Sequence, residues 1–116
     1  MQQEVKLAHL ADVMGMEYAS MRKVAVGTLA GVAYKKAGAW HVPAEVAAAM
    51  LDTFEFARAN VQSGEALAML GLTHHQQLSR FIAAGRIEAR KYNGRLYVSR
   101  ESIKRYNERQ ARKEAI

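Results

Sequence analysis

The chain has 116 residues, a net charge of +6 and no cysteine, and half of its residues are apolar. That length suits one ordinary domain or two very small ones, and the missing thiols exclude disulfides and thiolate metal sites. No apolar run approaches the ~20 residues of a membrane span, and the opening MQQEVK lacks the apolar centre of a secretion signal. The expectation is an intracellular chain without a membrane partner.

The charge is unevenly placed. Residues 1–60 hold six basic and six acidic side chains, whereas residues 61–116 hold eleven basic and five acidic ones and so carry the whole +6. A basic half beside a neutral half points to a polyanionic partner, with a merely solvated basic surface as the plain alternative.

In chain order, Leu7 to Met14 reads as a short helix stopped by Gly15, and Ala19 to Val26 as a second, with Met21, Val24 and Ala25 on its apolar stripe. Val32 to Lys36 and Ala39 to Val42 form an extended pair around Ala37-Gly38. Pro43 suits the first position of a third helix, which nothing breaks before Ala59. The pattern then restarts. Ser63 precedes a helix from Gly64 to Leu70 as its cap, and Gly71 stops it. Thr73 caps a helix from about His74 to Ala84, with Leu78, Phe81 and Ile82 as its inward stripe. Two strands follow, Ile87 to Tyr92 and Arg95 to Val98, joined at Asn93-Gly94, a pair suited to a turn whose two central residues need φ > 0. Leu96 and Val98 share the face that anchors this hairpin, and Tyr97 points the other way, towards the stem of Arg90. Ser99 caps a last helix from Arg100 to about Glu114.

The two halves align at an offset of 56 residues, with Gly15 over Gly71, Gly38 over Gly94, Val42 over Val98 and Glu45 over Glu101. The order of elements repeats with them. The expected organisation is a divergent unit over 1–60, ending in a long linking helix, and a basic unit over 61–116, with the boundary at Asn60 to Gln62.

In the second half, "EALAMLGLT", the polar helix after it and "RFIAAGRIEARKYNGRLYVSRESIKRY" together resemble the winged helix-turn-helix of phage excisionases and MerR-type regulators. The resemblance covers about 63–107 well and 5–51 weakly. It implies a mainly α fold with small β-hairpin wings, here as a tandem winged helix-turn-helix. The stretch from Gly71 to Gly85 is one residue longer than that family's usual spacing. The first half departs further, with Thr28-Leu29-Ala30 for Gly85-Arg86-Ile87 and Ala39-Trp40-His41 for Arg95-Leu96-Tyr97.

The resemblance implies a double-stranded DNA partner. Thr73, His74, His75, Gln76, Gln77, Ser79 and Arg80 would then line the helix that enters the major groove, where Gln pairs with adenine and Arg with guanine. Arg90, Lys91, Asn93 and Arg95 would form the wing, on phosphates or the adjacent minor groove. On the C-terminal helix Arg105, Arg109 and Arg112 share a face, equally suited to solvent or DNA. In the first half Tyr18, Ser20, Arg22 and Lys23 would form a second reading helix, with Lys35 and Lys36 as its wing. The other readings of that half are an assembly surface, for self-association or a recombinase, and plain core.

No cofactor or metal is expected. His74 and His75 are neighbours that project about 100° apart on a helix and would not converge on one ion. No catalytic constellation can be assembled, so an enzyme is not expected. An excisionase-like factor and a transcriptional regulator of a mobile element share the same physics with a plasmid centromere-binding or phage packaging protein. The setting implied is prokaryotic cytoplasm, on chromosomal, plasmid or phage DNA. A protein-interaction adaptor that uses winged helices without DNA is the reading from a different class. RNA binding is weaker, because no aromatic platform for stacking bases stands out.

Overall fold

The computed structural model describes residues 4–114; Met1 to Gln3 of the MQQEVK opening lie outside them. The chain is mainly helical, with two small antiparallel sheets of three strands each. Its elements are β1 (Glu4–Lys6), α1 (Leu7–Val13), α2 (Tyr18–Val26), β2 (Tyr34–Lys36), β3 (Ala39–Pro43) and α3 (Ala44–Ala59), then β4 (Val61–Gln62), α4 (Ser63–Leu70), α5 (His75–Ala83), β5 (Ala89–Tyr92), β6 (Arg95–Val98) and α6 (Arg100–Glu114). Strand order is β1-β3-β2 in one sheet and β4-β6-β5 in the other. Among the described residues no helix is long and apolar enough to cross a membrane.

The chain divides into two compact units between Asp52 and Thr53, within α3 rather than after Asn60. The reason lies in the side chains of the later part of α3. Phe54 packs its ring 5.8 Å from that of Tyr92, and Phe56 lies 4.7 Å beneath the Arg90 guanidinium. Asn60, just past the helix, accepts a hydrogen bond from the Arg100 N–H at 2.9 Å. These residues belong to the second unit, ahead of the Asn60 to Gln62 boundary expected from the sequence.

The second unit is built on one apolar cluster. Val61, Ala66, Leu67, Leu78, Ile87, Val98 and Ile103 are buried, and Phe81, Ile82, Leu96 and Tyr106 pack on them. Every element from β4 to α6 therefore contributes to the same interior. Fully burying a side chain of the size of Leu78 or Ile103 is worth roughly 1.5–3 kcal/mol. In the first unit Leu7, Leu10, Ala11, Met21, Ala25 and Val42 are buried, so the stripe read on Ala19–Val26 does face inward.

Glycine ends the first helix of each unit in the same way. Gly71 has φ +68°, its N–H bonds to the Ala68 carbonyl, and the Leu72 N–H bonds to the Leu67 carbonyl. Gly15 at φ +65° is matched by N–H bonds from itself and Met16 to Asp12 and Ala11. Only glycine takes this left-handed position without steric cost. The hairpin tips agree too: Asn93 and Gly94 have φ of +53° and +76°, Ala37 and Gly38 +51° and +79°.

Several boundaries differ from the sequence reading. Pro43 does not open α3; it closes β3 opposite Glu4. As the last residue of the strand, it leaves α3 to start at Ala44. Ser63 is the first residue of α4 and not its cap, because Gln62 ends a strand and turns directly into the helix. Lys6 makes the same uncapped strand-to-helix passage into α1. The expected cap Thr73 gives way to His74, so α5 starts at His75. β1 and β4 themselves had no sequence signal: two or three residues are too few to show alternation.

The outward and inward faces of α5 give a direct check. Leu78→Ala should cost about 2–5 kcal/mol, the range for a buried leucine. Ser79→Ala, exposed on the next position, should change stability by less than about 0.5 kcal/mol. Chemical denaturation of the two variants measures the contrast.

Candidate nucleic-acid interface

α5 reads HQQLSRFIA and contains no acid. Leu78 is buried, with Phe81 and Ile82 packed on the same core, so the helical period turns the polar residues outward. His74, His75, Gln76, Ser79 and Arg80 are exposed, as is Thr73 just ahead of them. His74 is still extended, at φ −124° and ψ 137°.

Gln77 stands apart from this group. It is half-buried, and its Oε1 accepts from the Thr73 N–H at 3.3 Å and the His74 N–H at 3.2 Å. An amide oxygen has two lone pairs, and here both are used. Bidentate pairing with adenine needs that oxygen, so Gln77 holds the start of α5 instead of presenting a readable amide. Of the two glutamines expected to read bases, Gln76 is the one left outward.

The β5–β6 hairpin grows from the same core. Val98 is fully buried and Leu96 packs on the cluster, as their shared strand face required. Cross-strand partners are Arg90 with Tyr97, Lys91 with Leu96, and Tyr92 with Arg95. Lys91, Asn93 and Arg95 are exposed around the tip. Arg90 is not: it is half-buried, its guanidinium over Phe56 and 3.6 Å from the Glu88 carboxylate. The Tyr97 ring lies 6.3 Å from that of Tyr92. Arg90 thus ties the base of the hairpin to the end of α3, while Lys91 and Arg95 carry the charge at the tip.

α6 is capped twice. Ser99 Oγ accepts from the Ser102 N–H at 3.1 Å, and Asn60 Oδ1 accepts from the Arg100 N–H. Both bonds satisfy N–H groups that a helix start leaves without partners. Arg100, Lys104, Arg105, Arg109, Arg112 and Lys113 on this helix are all exposed.

The first unit places its expected residues in comparable positions. Tyr18, Ser20, Arg22 and Lys23 are exposed on α2, and Lys35 and Lys36 are exposed on β2. α2 starts three residues after Gly15, α5 four after Gly71. The extra residue therefore lies in the turn between the helices. It brings Met21 into line with Leu78, and Lys23 into line with Arg80.

Its hairpin is chemically different. Lys36 Nζ is 2.6 Å from Glu4 Oε1, and the Tyr34 hydroxyl donates to Glu4 Oε2 at 3.0 Å. Lys35 lies 5.5 Å above the Trp40 ring. Glu4 comes from β1, the strand the sequence reading missed, and Asn60 holds its place in the second unit. Tyr34 stacks on His41, whose Nδ1 is 2.9 Å from the Ala39 carbonyl. Half of the expected positive charge of this hairpin is thus held by a carboxylate.

No protein-family model, no curated protein and no solved structure matches the chain.

The Lys36 ammonium, followed by the Tyr34 hydroxyl, holds the Glu4 carboxyl below its ordinary 4.5, and Glu4 in turn raises Lys36 above 10.5. A lowered carboxyl favours the folded state at pH above its unfolded value, and the gain is lost as pH falls through the folded one. A raised ammonium favours it below the unfolded value, and that gain is lost as pH rises through the folded one. The link is therefore complete from about pH 5 to 10 and fails at both ends. An NMR titration of the Glu4 carboxyl carbon should show its midpoint rising towards the ordinary value in Lys36→Met. An unmoved midpoint would mean that the pair does not form in solution.

Proposed function

We propose that the protein binds double-stranded DNA through its second unit, as a winged helix-turn-helix. α5 enters the major groove, and the tip of the β5–β6 hairpin meets phosphates or the adjacent minor groove. The observation that supports this is a division of labour within one unit. A single core fixes Leu78, Val98 and Ile103 inward, which leaves an acid-free, short-chained polar face on α5 and Lys91 and Arg95 on the hairpin tip. A helix of this kind fits the major groove, where Gln76 is suited to adenine and Arg80 to guanine. Thr73, His74, His75 and Ser79 complete the face. Arg90 and Gln77 act as positioning residues, one for the hairpin and one for the helix start.

The first unit has the same order of elements, which supports a tandem arrangement of two winged units. Two functions compete for it. Arg22, Lys23 and Lys35 favour a second DNA contact. The occupied Lys36, together with Val13 and Val26 at 52% and 63% exposure, favours an assembly surface for a second copy or a recombinase. On the excisionase-like pattern of the second half, the role we infer is a DNA-binding regulator or recombination factor of a mobile element.

Fluorescence anisotropy with duplex DNA over a range of salt tests the reading. With about four phosphates neutralised, log K should fall with log salt at a slope near −3.6. A slope near zero contradicts DNA binding. Arg95→Ala should make the slope shallower by about 0.9 while melting shifts by no more than about 2–4 °C, the behaviour of an exposed phosphate contact. Joint alanine replacement of Arg22, Lys23, Lys35 and Lys36 separates the roles of the first unit. Weaker binding assigns it a DNA contact, and unchanged binding with lost self-association assigns it assembly.

A further inference from the structure

Away from the exposed face of α5 and the hairpin tip, a cleft opens between the turn after α5 and the side of α6. Gly85, Arg86, Glu88, Ser102, Arg105 and Arg109 line it, and it encloses about 280 Å³. Arg105 and Arg109 are one helical turn apart on α6. Arg86 reaches the cleft from a separate segment, so three arginines line one hollow.

Most other polar groups there are already committed. The N–H groups of Gly85 and Arg86 bond to the Ile82 and Phe81 carbonyls. The Glu88 N–H donates to Ser102 Oγ, whose hydroxyl donates to the Ser99 carbonyl. The Glu88 carboxylate is the only acid lining the cleft, and it lies 3.6 Å from Arg90. Among the described residues, Arg86, Arg105 and Arg109 form no ion pair. The donors left over are their guanidiniums.

These donors are partly organised in advance. Arg86 lies 5.8 Å above the Phe81 ring, and that ring packs 5.0 Å from Tyr106, the neighbour of Arg105. A guanidinium stacked on a ring loses less freedom on binding. Its planar fork matches two oxygens of a tetrahedral oxyanion. Three arginines and one carboxylate, itself beside Arg90, leave the lining of the cleft with an excess of positive charge.

We propose that this cleft binds a phosphate group, with Arg86, Arg105 and Arg109 as its donors. The phosphate comes either from a DNA backbone, a source that rests on the function proposed above, or from a free phosphate, which does not.

The test follows the arginine Nε–H signals of the full chain by NMR as inorganic phosphate is added. The signals of Arg86, Arg105 and Arg109 should shift together at millimolar phosphate, while Arg22 and Arg112 stay in place. The shift at Arg86 should vanish in Arg105→Gln/Arg109→Gln, with melting unchanged; Arg86→Gln, which leaves α6 intact, should likewise weaken the shifts at the other two. The salt slope for duplex DNA then identifies the source. A slope shallower by about 0.9 in the double variant assigns a backbone phosphate, and an unchanged slope with the phosphate shifts assigns a free one. No shift at the three arginines, or equal shifts at all arginines, overturns the proposal. Failure of the DNA reading is distinct: no duplex binding by the unaltered chain, with the phosphate shifts intact.

Discussion

The second unit depends on the packing of Leu78 against Val98, Ile87 and Ile103. A helix has one inward stripe and a strand one inward face, so these contacts fix the outward residues as well. With Leu78 and Phe81 inward, His75, Gln76, Ser79 and Arg80 have nowhere to go but out. With Val98 and Leu96 inward, the turn at Asn93-Gly94 projects Lys91 and Arg95. The polar face and the basic tip both follow from one apolar core. Positions held on packed elements keep their geometry better than positions on free loops.

The same order of elements carries different chemistry in the two units. Asn60 ties α3 to the start of α6, whereas Glu4 in the matching place captures Lys36 and Tyr34. Arg95 stands where the first unit has Ala39. The first hairpin also bends through Ala37, a non-glycine residue at φ +51°, where the second has Asn93. Asparagine tolerates that conformation better than alanine. The second hairpin is therefore both more basic and less strained than the first.

Much of this was legible in the sequence because it rests on periodicity and on glycine. The stripes of α2 and α5, the Gly15 and Gly71 stops, the Asn93-Gly94 tip and the start of α6 at Arg100 all stand where local rules put them. Most of what the sequence did not show depends on partners far along the chain. β1 and β4 are too short for a pattern and exist only because β3 and β6 pair with them. Glu4 and Lys36 are 32 residues apart, and Arg86 and Arg109 become neighbours only once α6 lies against the turn after α5. Gln77 looked like a base reader because its type suits adenine. Its use at the helix start is a local matter: as the third residue of α5 it reaches back to the His74 N–H, the spacing of a capping box, which only the true start of the helix at His75 makes visible. Arg86 was visible only as part of the Gly-Arg-Ile pattern, with no sign that a ring would hold it.

The most direct measurement is a map of the DNA contact itself. A duplex recovered by selection from a random pool is added to the isotope-labelled chain, and backbone amide signals are followed. Changes should concentrate at Thr73 to Arg80 and at Tyr92 to Arg95, with the buried Leu67 and Ile103 little affected. Recovery of no duplex, or changes confined to the first unit with α5 untouched, would contradict the proposed contact.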